Sequence, residues 1–527
     1  MTKKYRIIRN LILVIALAFV FLWRLNIIDG SLWIDEHHLV ASVMTSDSLL
    51  PLFETNENAN LHHGYAIILY ILLNYFDFSE ILVRMPSLVA SMVSFVIFIY
   101  VLGLYSPNRL HNLLLSLLFS SLLLNQHFSI EARGYSLSLM FALLAFYLTA
   151  KSLRLIHESD NLIQTVFIAL AGSVSLGLSV LSHNSAAWVY AASIFAIAAI
   201  LVSYLIQDRE FSTKARRLSW LLGSQFVVVL LIAGKSMLLT MATLRIWSSQ
   251  DYLFDEISVR FLNRLGNELF SIPNIPYLGL ALLSGCGLLL FISLCHLFQK
   301  KQLFKRLEDD YFLFLTAFLY IFPVIYLYVT KPFFLFTRFF YVFSPFVFLI
   351  PVYVYHRVYA SKGIKIFYIA LVPIVIYGLI VFPLYPKCPY KDLFCYLDTI
   401  RSDPSIPINI FVKERFKDTT KRQAIVYKKY LDAKNIRLHN VTELRGACAH
   451  AKKGEYCVVI QQIPYADRCV EINPFARTSG FKETLFYPFR SQRNDGLKIF
   501  HSNHWLSAND IVILYSNINR NWRPSPK

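Results

Sequence analysis

Residues 85–105 read MPSLVASMVSFVIFIYVLGLY, 21 positions without a single charged side chain. A helix of 18 or more apolar residues is long enough to cross about 30 Å of hydrocarbon. Comparable runs recur at 110–127, 135–153, 162–182, 185–206, 217–240, 275–298, 310–330, 337–356 and 364–385. With an N-terminal segment, Ile7 to Ile28, they make about 11 transmembrane helices. The composition agrees, with 56% hydrophobic and 16% charged residues, which is more apolar and less charged than a soluble chain. The sequence therefore predicts an α-helical polytopic membrane protein. The first segment lacks a small-residue cleavage site and is interrupted by Trp23 and Arg24, so it reads as a retained helix rather than a signal peptide.

Loop charge supplies the orientation. The start, MTKKYRIIRN, is basic, and so are SPNRLHN, KSLRLIHESDN, QDREFSTKARR, QKKQLFKRLEDD and HRVYASKGIK, which the alternation of spans places together on the cytoplasmic side. The opposite side receives residues 29–83, HFSIEARG, SHNS, 241–274, TKPFFLFT and the C-terminal tail. Within 29–83, the stretch AIILYILLNYF is too short to span and is expected to lie along the membrane surface.

A membrane domain over 1–386 and a separate outer domain over 387–527 follow from the change of character near residue 387. The runs PINIFV, EYCVVIQQ and DIVILYS predict strands. PYKDLFCYLDTI and DTTKRQAIVYKKYLDA show helical spacing, so the tail is expected to be a small α/β domain. It holds 24 Lys and Arg against 13 Asp and Glu, a large part of the net +18. In a soluble protein such charge would suggest nucleic acid; here it suits membrane lipid headgroups or an anionic glycan, with no nucleic acid involved. The tail has no Gly-rich phosphate loop, which argues against a nucleotide site. Five of the seven cysteines lie in it without a C-x-x-C pair, which argues against zinc and allows one or two disulfides. Cys286 and Cys295 sit in an apolar run and read as small core residues.

Polar residues gather at the outer ends of the spans. SLWIDEHHLV contributes Asp35, Glu36, His37 and His38, and the rest of that loop adds His62, His63 and Arg84. The next outer loop brings Glu131, Arg133 and Tyr135; later ones bring His183, Asn184, Lys331 and Arg338. Each has a plain structural reading. Asp35 and Glu36 suit the first turn of a helix, His183-Asn184 a turn between helices, Arg133 a local pair with Glu131, and Arg338 a snorkelling anchor. Those readings do not explain why acids and bases collect at one interface.

In their order along the chain these elements resemble the GT-C superfamily of polytopic glycosyltransferases, in particular the branch shared by protein O-mannosyltransferases and bacterial aminoarabinose transferases. WIDEHHLV matches the Asp-Glu pair after the first helix, NLHHGYAIILY the His-Pro-Pro-Leu-like segment, and VRMPSLVAS the R-x-P-S element. SIEARGYSLSLM matches the second acidic loop and FTRFFYVFSPF the late Arg-aromatic element; PYKDLFCYL is similar to the start of the family's outer domain. One departure is that His63 and Gly64 stand where the family has two prolines, near a lysine implicated in holding the donor phosphate. A histidine can serve there only when protonated or through a neutral hydrogen bond.

The resemblance implies a polyprenyl-phosphate sugar donor, with a glycan, lipid or protein acceptor, at the outer face of a bacterial inner membrane. It implies Asp35 as general base, Glu36 as its support and Glu131 as a second acid. Arg84, Arg133, Arg338 and His63 become the donor-phosphate ligands, and His62, Tyr135 and His183 further pocket residues. A divalent cation, if one is used, would fall to Asp35 and Glu131. A single displacement with inversion is the implied course. Two other readings stay open. A transporter or flippase for a lipid-linked or anionic solute is favoured only by Pro323 and Pro373, which lie mid-span, since the acids and most bases lie at helix ends. A glycan polymerase or ligase would share the donor type.

Overall fold

The computed structural model describes residues 3–28, 32, 34–53, 62–158, 161–208, 213–248, 259–270, 277–299, 305–330, 337–358, 407–413, 435–441, 456–463, 482–486 and 511–518. Its helices are α1 (Lys3–Ile28), α2 (Ile34–Met44), α3 (His63–Tyr75), α4 (Glu80–Tyr105), α5 (Arg109–Ser121), α6 (Leu123–Phe128) and α7 (Tyr135–Glu158). These are followed by α8 (Leu162–Ser182), α9 (Ala187–Asp208), α10 (Thr213–Ser248), α11 (Val259–Phe270), α12 (Leu278–Gln299), α13 (Leu307–Thr330) and α14 (Ser344–Tyr353). Among the described residues, 6 helical segments are long and apolar enough to cross a membrane: α4, α7, α8, Asn184–Ile206, Thr213–Thr240 and Leu278–Phe298. The protein is thus a polytopic helical one.

Contacts divide the chain into two compact units. One comprises Met1–Ile27, Ser48–Ile68 and Arg84–Phe382; the other comprises Ile28–Asp47, Leu69–Val83 and Pro383–Lys527.

In the first unit the helix ends are set by side-chain caps. The Asn108 carboxamide accepts from the N–H groups of Leu110 and His111 to open α5, and Asn161 accepts from Gln164 N to open α8. Such caps matter more in lipid, where no water replaces a missing partner. The span expected at 110–127 is not one helix but two. Leu122 adopts an extended conformation (φ −56°, ψ 136°), ending α5, and the chain restarts as α6. The carbonyls freed by the break are taken up locally: Asn125 Nδ2 donates to Phe119 O and Gln126 Nε2 to Ser121 O. The span expected at 337–356 is also interrupted. It runs as a 3-10 turn over Thr337–Phe343, then α14, then a π turn over Val354–Val358, with Pro345 and Pro351 removing two backbone donors. By contrast Pro323 leaves α13 unbroken. The segment 364–385 lies outside the described residues.

Buried polar contacts stitch the helices together. Gln225 on α10 donates to Thr149 Oγ1 on α7 at 2.9 Å and accepts from Ser193 Oγ on α9 at 2.8 Å, while Ser193 also lies 2.8 Å from the Tyr311 hydroxyl on α13. Arg24 of α1 is buried and donates to Ser91 Oγ on α4 and to Ser120 O and Oγ on α5, at 2.8 to 2.9 Å. At the C-terminal end of α4, Arg357 donates to Leu104 O at 2.9 Å and pairs with Asp309 at 3.3 Å, in the first turn of α13.

In the second unit, α2 opens at Ile34, so Asp35 and Glu36 occupy its first turn, where the helix dipole favours negative charge. The Tyr70 hydroxyl on α3 donates to Asp47 O at 3.1 Å. The tail forms one five-stranded mixed sheet in the order β2-β1-β3-β5-β4, with β1 (Ile408–Lys413), β2 (Ile436–Val441), β3 (Tyr456–Ile463), β4 (Lys482–Phe486) and β5 (Ile511–Ile518). β1 runs parallel to β2 and β3, and β5 antiparallel to β3 and β4. The expected strands PINIFV, EYCVVIQQ and DIVILYS are the inner three. IRLHNV and KETLF escaped the hydropathy reading because they are the two edge strands, where polar residues are tolerated and protect the open edge. The expected tail helices, and every tail cysteine except Cys457, lie outside the described residues.

Candidate active site

The site grows from the loop between α6 and α7. Its sequence, SIEARG, makes a tight turn in which Arg133 N donates to Glu131 O at 2.7 Å. The turn throws both side chains to the same place: Arg133 Nη1 lies 3.7 Å from Glu131 Oε1, and His127 Nε2 lies 3.6 Å from Glu131 Oε2. Glu131 and Arg133 are both buried, so the pair is shielded from solvent and its charges interact strongly. The guanidinium also lies over the Tyr135 ring, 5.0 Å from its centroid.

α4 holds this loop from beneath. Ser87, one turn beyond the buried Arg84, has its hydroxyl 2.6 Å from Glu131 O and 3.1 Å from Arg133 O, with the Tyr65 hydroxyl 3.0 Å away. The R-x-P-S element and the E-A-R-x-Y element therefore meet through a serine and two main-chain carbonyls. On the other flank, a Cβ at Gly134 would collide with Ser182 O, so only glycine lets α7 start against the end of α8. Ser136 Oγ then donates to Phe128 O at 2.8 Å, closing the loop on itself.

Three rings wall the loop. His62 lies with its centroid 4.5 Å from His183 and 5.5 Å from Tyr135, and Tyr135 lies 4.1 Å from His183. Phe128 and Tyr341 extend this cluster, at 4.1 Å from Tyr135 and 4.7 Å from Phe128 respectively. His183 is both turn and site residue. Its Nδ1 accepts from Ser185 N at 3.1 Å, capping the 3-10 turn Asn184–Ala186, which leaves Nε2 to bear the proton of the neutral ring.

His63 lies at the start of α3, stacked on Phe53 at 5.0 Å, with Nδ1 2.7 Å from Ser236 Oγ on α10. Burial lowers its pKa to about 4; the Leu52 carbonyl opposes that shift and the Lys235 ammonium adds to it. His63 therefore favours the neutral ring near pH 7, the form that meets an anion as a hydrogen-bond partner.

The structure thus brings Glu131, Arg133, Tyr135, His62 and His183 together, with His63 and Arg84 in the same unit. Glu36 and His37 are buried in the other unit. The side chains of Asp35 and Arg338, and Lys331 altogether, lie outside the described residues. Among the described residues no cluster of three or more His, Cys, Asp or Glu is disposed to hold a metal. Sequence reasoning missed Ser87, Gly134 and the Lys235-Ser236 pair. The signal for the last was a single charged residue, Lys235, in the run 218–240.

No protein-family model and no curated protein matches the sequence. In structure, 7 solved chains match. ArnT from Cupriavidus metallidurans, in its apo state, has a TM-score of 0.50 at 10% identity, over 98% of this chain and 99% of that one. An Archaeoglobus fulgidus oligosaccharyltransferase tethered by a disulfide to an acceptor peptide has a TM-score of 0.40 at 10% identity, over 82% of this chain and 64% of that one. Identity this low speaks to fold alone, and on that footing the near-complete mutual coverage shows that the chain is similar in fold to ArnT.

Proposed function

We propose that this protein is a membrane glycosyltransferase that moves a sugar from a polyprenyl-phosphate-linked donor to a glycan, lipid or protein acceptor on the extracytoplasmic side of a bacterial inner membrane. The observation that carries the reading is the buried Glu131–Arg133 pair, held by Ser87 and walled by His62, Tyr135 and His183, within a GT-C fold. Such a site has what transfer to a hydroxyl requires: a carboxylate to orient a polar acceptor, and fixed cations and donors to stabilise a departing phosphate.

In this scheme Asp35 takes the proton of the acceptor hydroxyl as its oxygen attacks the anomeric carbon. The bond from that carbon to the phosphate oxygen breaks, and the lipid phosphate leaves with the electron pair. One displacement inverts the anomeric centre. Glu36 supports Asp35, and Glu131 positions the acceptor. Arg84, Arg133 and Arg338 bind the phosphate, for which a planar, permanently charged guanidinium is suited. His63 contributes a neutral hydrogen bond. If a divalent cation is used, Asp35 and Glu131 are the carboxylates that would hold it.

The test is to incubate the purified protein with a panel of polyprenyl-phosphate sugars and follow which is consumed. Consumption of none of them, in the presence of membrane glycans, lipids and proteins as acceptors, would remove the reading.

A further inference from the structure

Lys235 stands on α10 in the run VVVLLIAGKSMLLT, five residues before the end of the apolar segment Thr213–Thr240. At 1.5 Å rise per residue it lies about 7.5 Å inside that segment. A lysine at lipid depth is costly unless it meets an anion, and such residues are functional far more often than ordinary surface lysines. Lys235 is exposed, and among the described residues no carboxylate forms an ion pair with it.

Its neighbours tie it to the site. Ser236, the next residue, is buried and holds His63 Nδ1 at 2.7 Å, and lies 3.4 Å from Asn184 Oδ1. Asn184 in turn donates to Thr240 Oγ1 at 2.6 Å. His63 adjoins His62, and Asn184 adjoins His183, the two histidines of the ring cluster. Lys235 acts electrostatically on the His63 ring, so the exposed ammonium lies beside this corner of the site. Gly64 presses on this corner too: a Cβ there would lie 2.8 Å from Ser182 Oγ.

We infer that Lys235 is a binding residue for the phosphate of the lipid-linked donor, with Ser236 and His63 forming a neutral, hydrogen-bonded shelf beside it. The inference rests on the proposed function, and names a ligand for its donor that neither motif nor spacing identified. His63 stays uncharged near neutral pH, so the fixed positive charge at this corner comes from Lys235. A phosphate there needs no passage through the helix bundle, because its lipid chain stays in the bilayer beside α10. A bulk phospholipid headgroup offers the same chemistry but resides at the interface, shallower than Lys235.

The experiment uses the full chain in detergent and follows its melting temperature during titration with polyprenyl phosphate lacking the sugar, and separately with phosphatidylglycerol. Wild type, Lys235→Met and Lys235→Arg are compared. Because Lys235 is exposed on an apolar segment, Lys235→Met is expected to fold, with an unliganded melting temperature no lower than wild type. Polyprenyl phosphate should stabilise wild type and Lys235→Arg, while Lys235→Met should bind it about tenfold or more weakly, the loss expected for a charge-assisted contact. Equal binding by wild type and Lys235→Met would overturn the inference and leave the proposed function intact. Equal stabilisation by phosphatidylglycerol, lost in the same variant, would also overturn it, making Lys235 a general headgroup site. No response of wild type to polyprenyl phosphate would sink the donor reading itself, and this inference with it.

Discussion

The Ser87 hydroxyl lies 2.6 Å from the main-chain oxygen of Glu131, joining α4 to the acidic loop across 44 residues of sequence. The same hydroxyl lies 3.1 Å from the main-chain oxygen of Arg133, so one side chain touches both carbonyls of the turn that aims Glu131 and Arg133. Ser87→Ala would remove a buried hydrogen bond from this turn, at a cost of about 0.5–1.5 kcal/mol. Sugar transfer should fall about tenfold or more while the protein still purifies as a folded species. Donor consumption and melting temperature, measured together, check this; unchanged activity would show that the loop keeps its shape without the serine.

Gly134 and Gly223 make a matched pair. At Gly134 an added Cβ would collide with Ser182 O, a backbone atom that can move only with its helix, whereas at Gly223 nothing lies within 4 Å. Gly134→Ala should therefore destabilise by about 1–3 kcal/mol, as overpacking does, and reduce activity. Gly223→Ala, in the interior of α10, should leave the melting temperature unchanged or raise it, since alanine gains up to about 1 kcal/mol over glycine in a helix. Thermal unfolding of both variants decides the matter.

The proposed base gives a sharper kinetic expectation. Asp35→Asn should lower transfer by about 100-fold or more, the usual contribution of a general base, with insertion and folding retained. Near-normal turnover would remove Asp35 from that role. Arg84→Ala and Arg133→Ala should instead weaken apparent donor affinity, and an unchanged donor KM in either would count against phosphate binding by that residue.

Stability should depend on pH through His63. Its folded pKa is about 4, against 6.5 for the free side chain, so the native state holds the ring neutral while the unfolded chain takes up a proton below pH 6.5. The stabilisation is complete above pH 6.5 and is lost as the pH falls from there toward 4. The shift corresponds to roughly 3 kcal/mol at most. His63→Gln should flatten the fall in melting temperature between pH 7 and pH 4.5; an identical pH profile for variant and wild type would assign the acid sensitivity to other groups.

The sequence by itself determined the class of fold. Long uncharged runs such as 85–105 can bury their backbone in lipid only as helices, so their length and composition suffice. The same local logic located α8 at 162–182 to the residue and the three inner strands of the tail sheet. It failed where local signals are weak or mixed. The apolar run 110–127 hid the break at Leu122, because the side-chain amides that heal it look like ordinary polar residues. The site divides in the same way. Glu131, Arg133, Tyr135, His62 and His183 were legible as residue types at helix ends, yet nothing in the chain states that His62 packs against His183 or that Ser87 sets the acidic turn. Those contacts join distant segments, and only packing brings them together. The same holds for His63 and Ser236, 173 residues apart, whose hydrogen bond places Lys235 of α10 beside the start of α3. The local chain specified which groups were present; the tertiary structure decided which of them share a dielectric environment, and so which can act on one substrate.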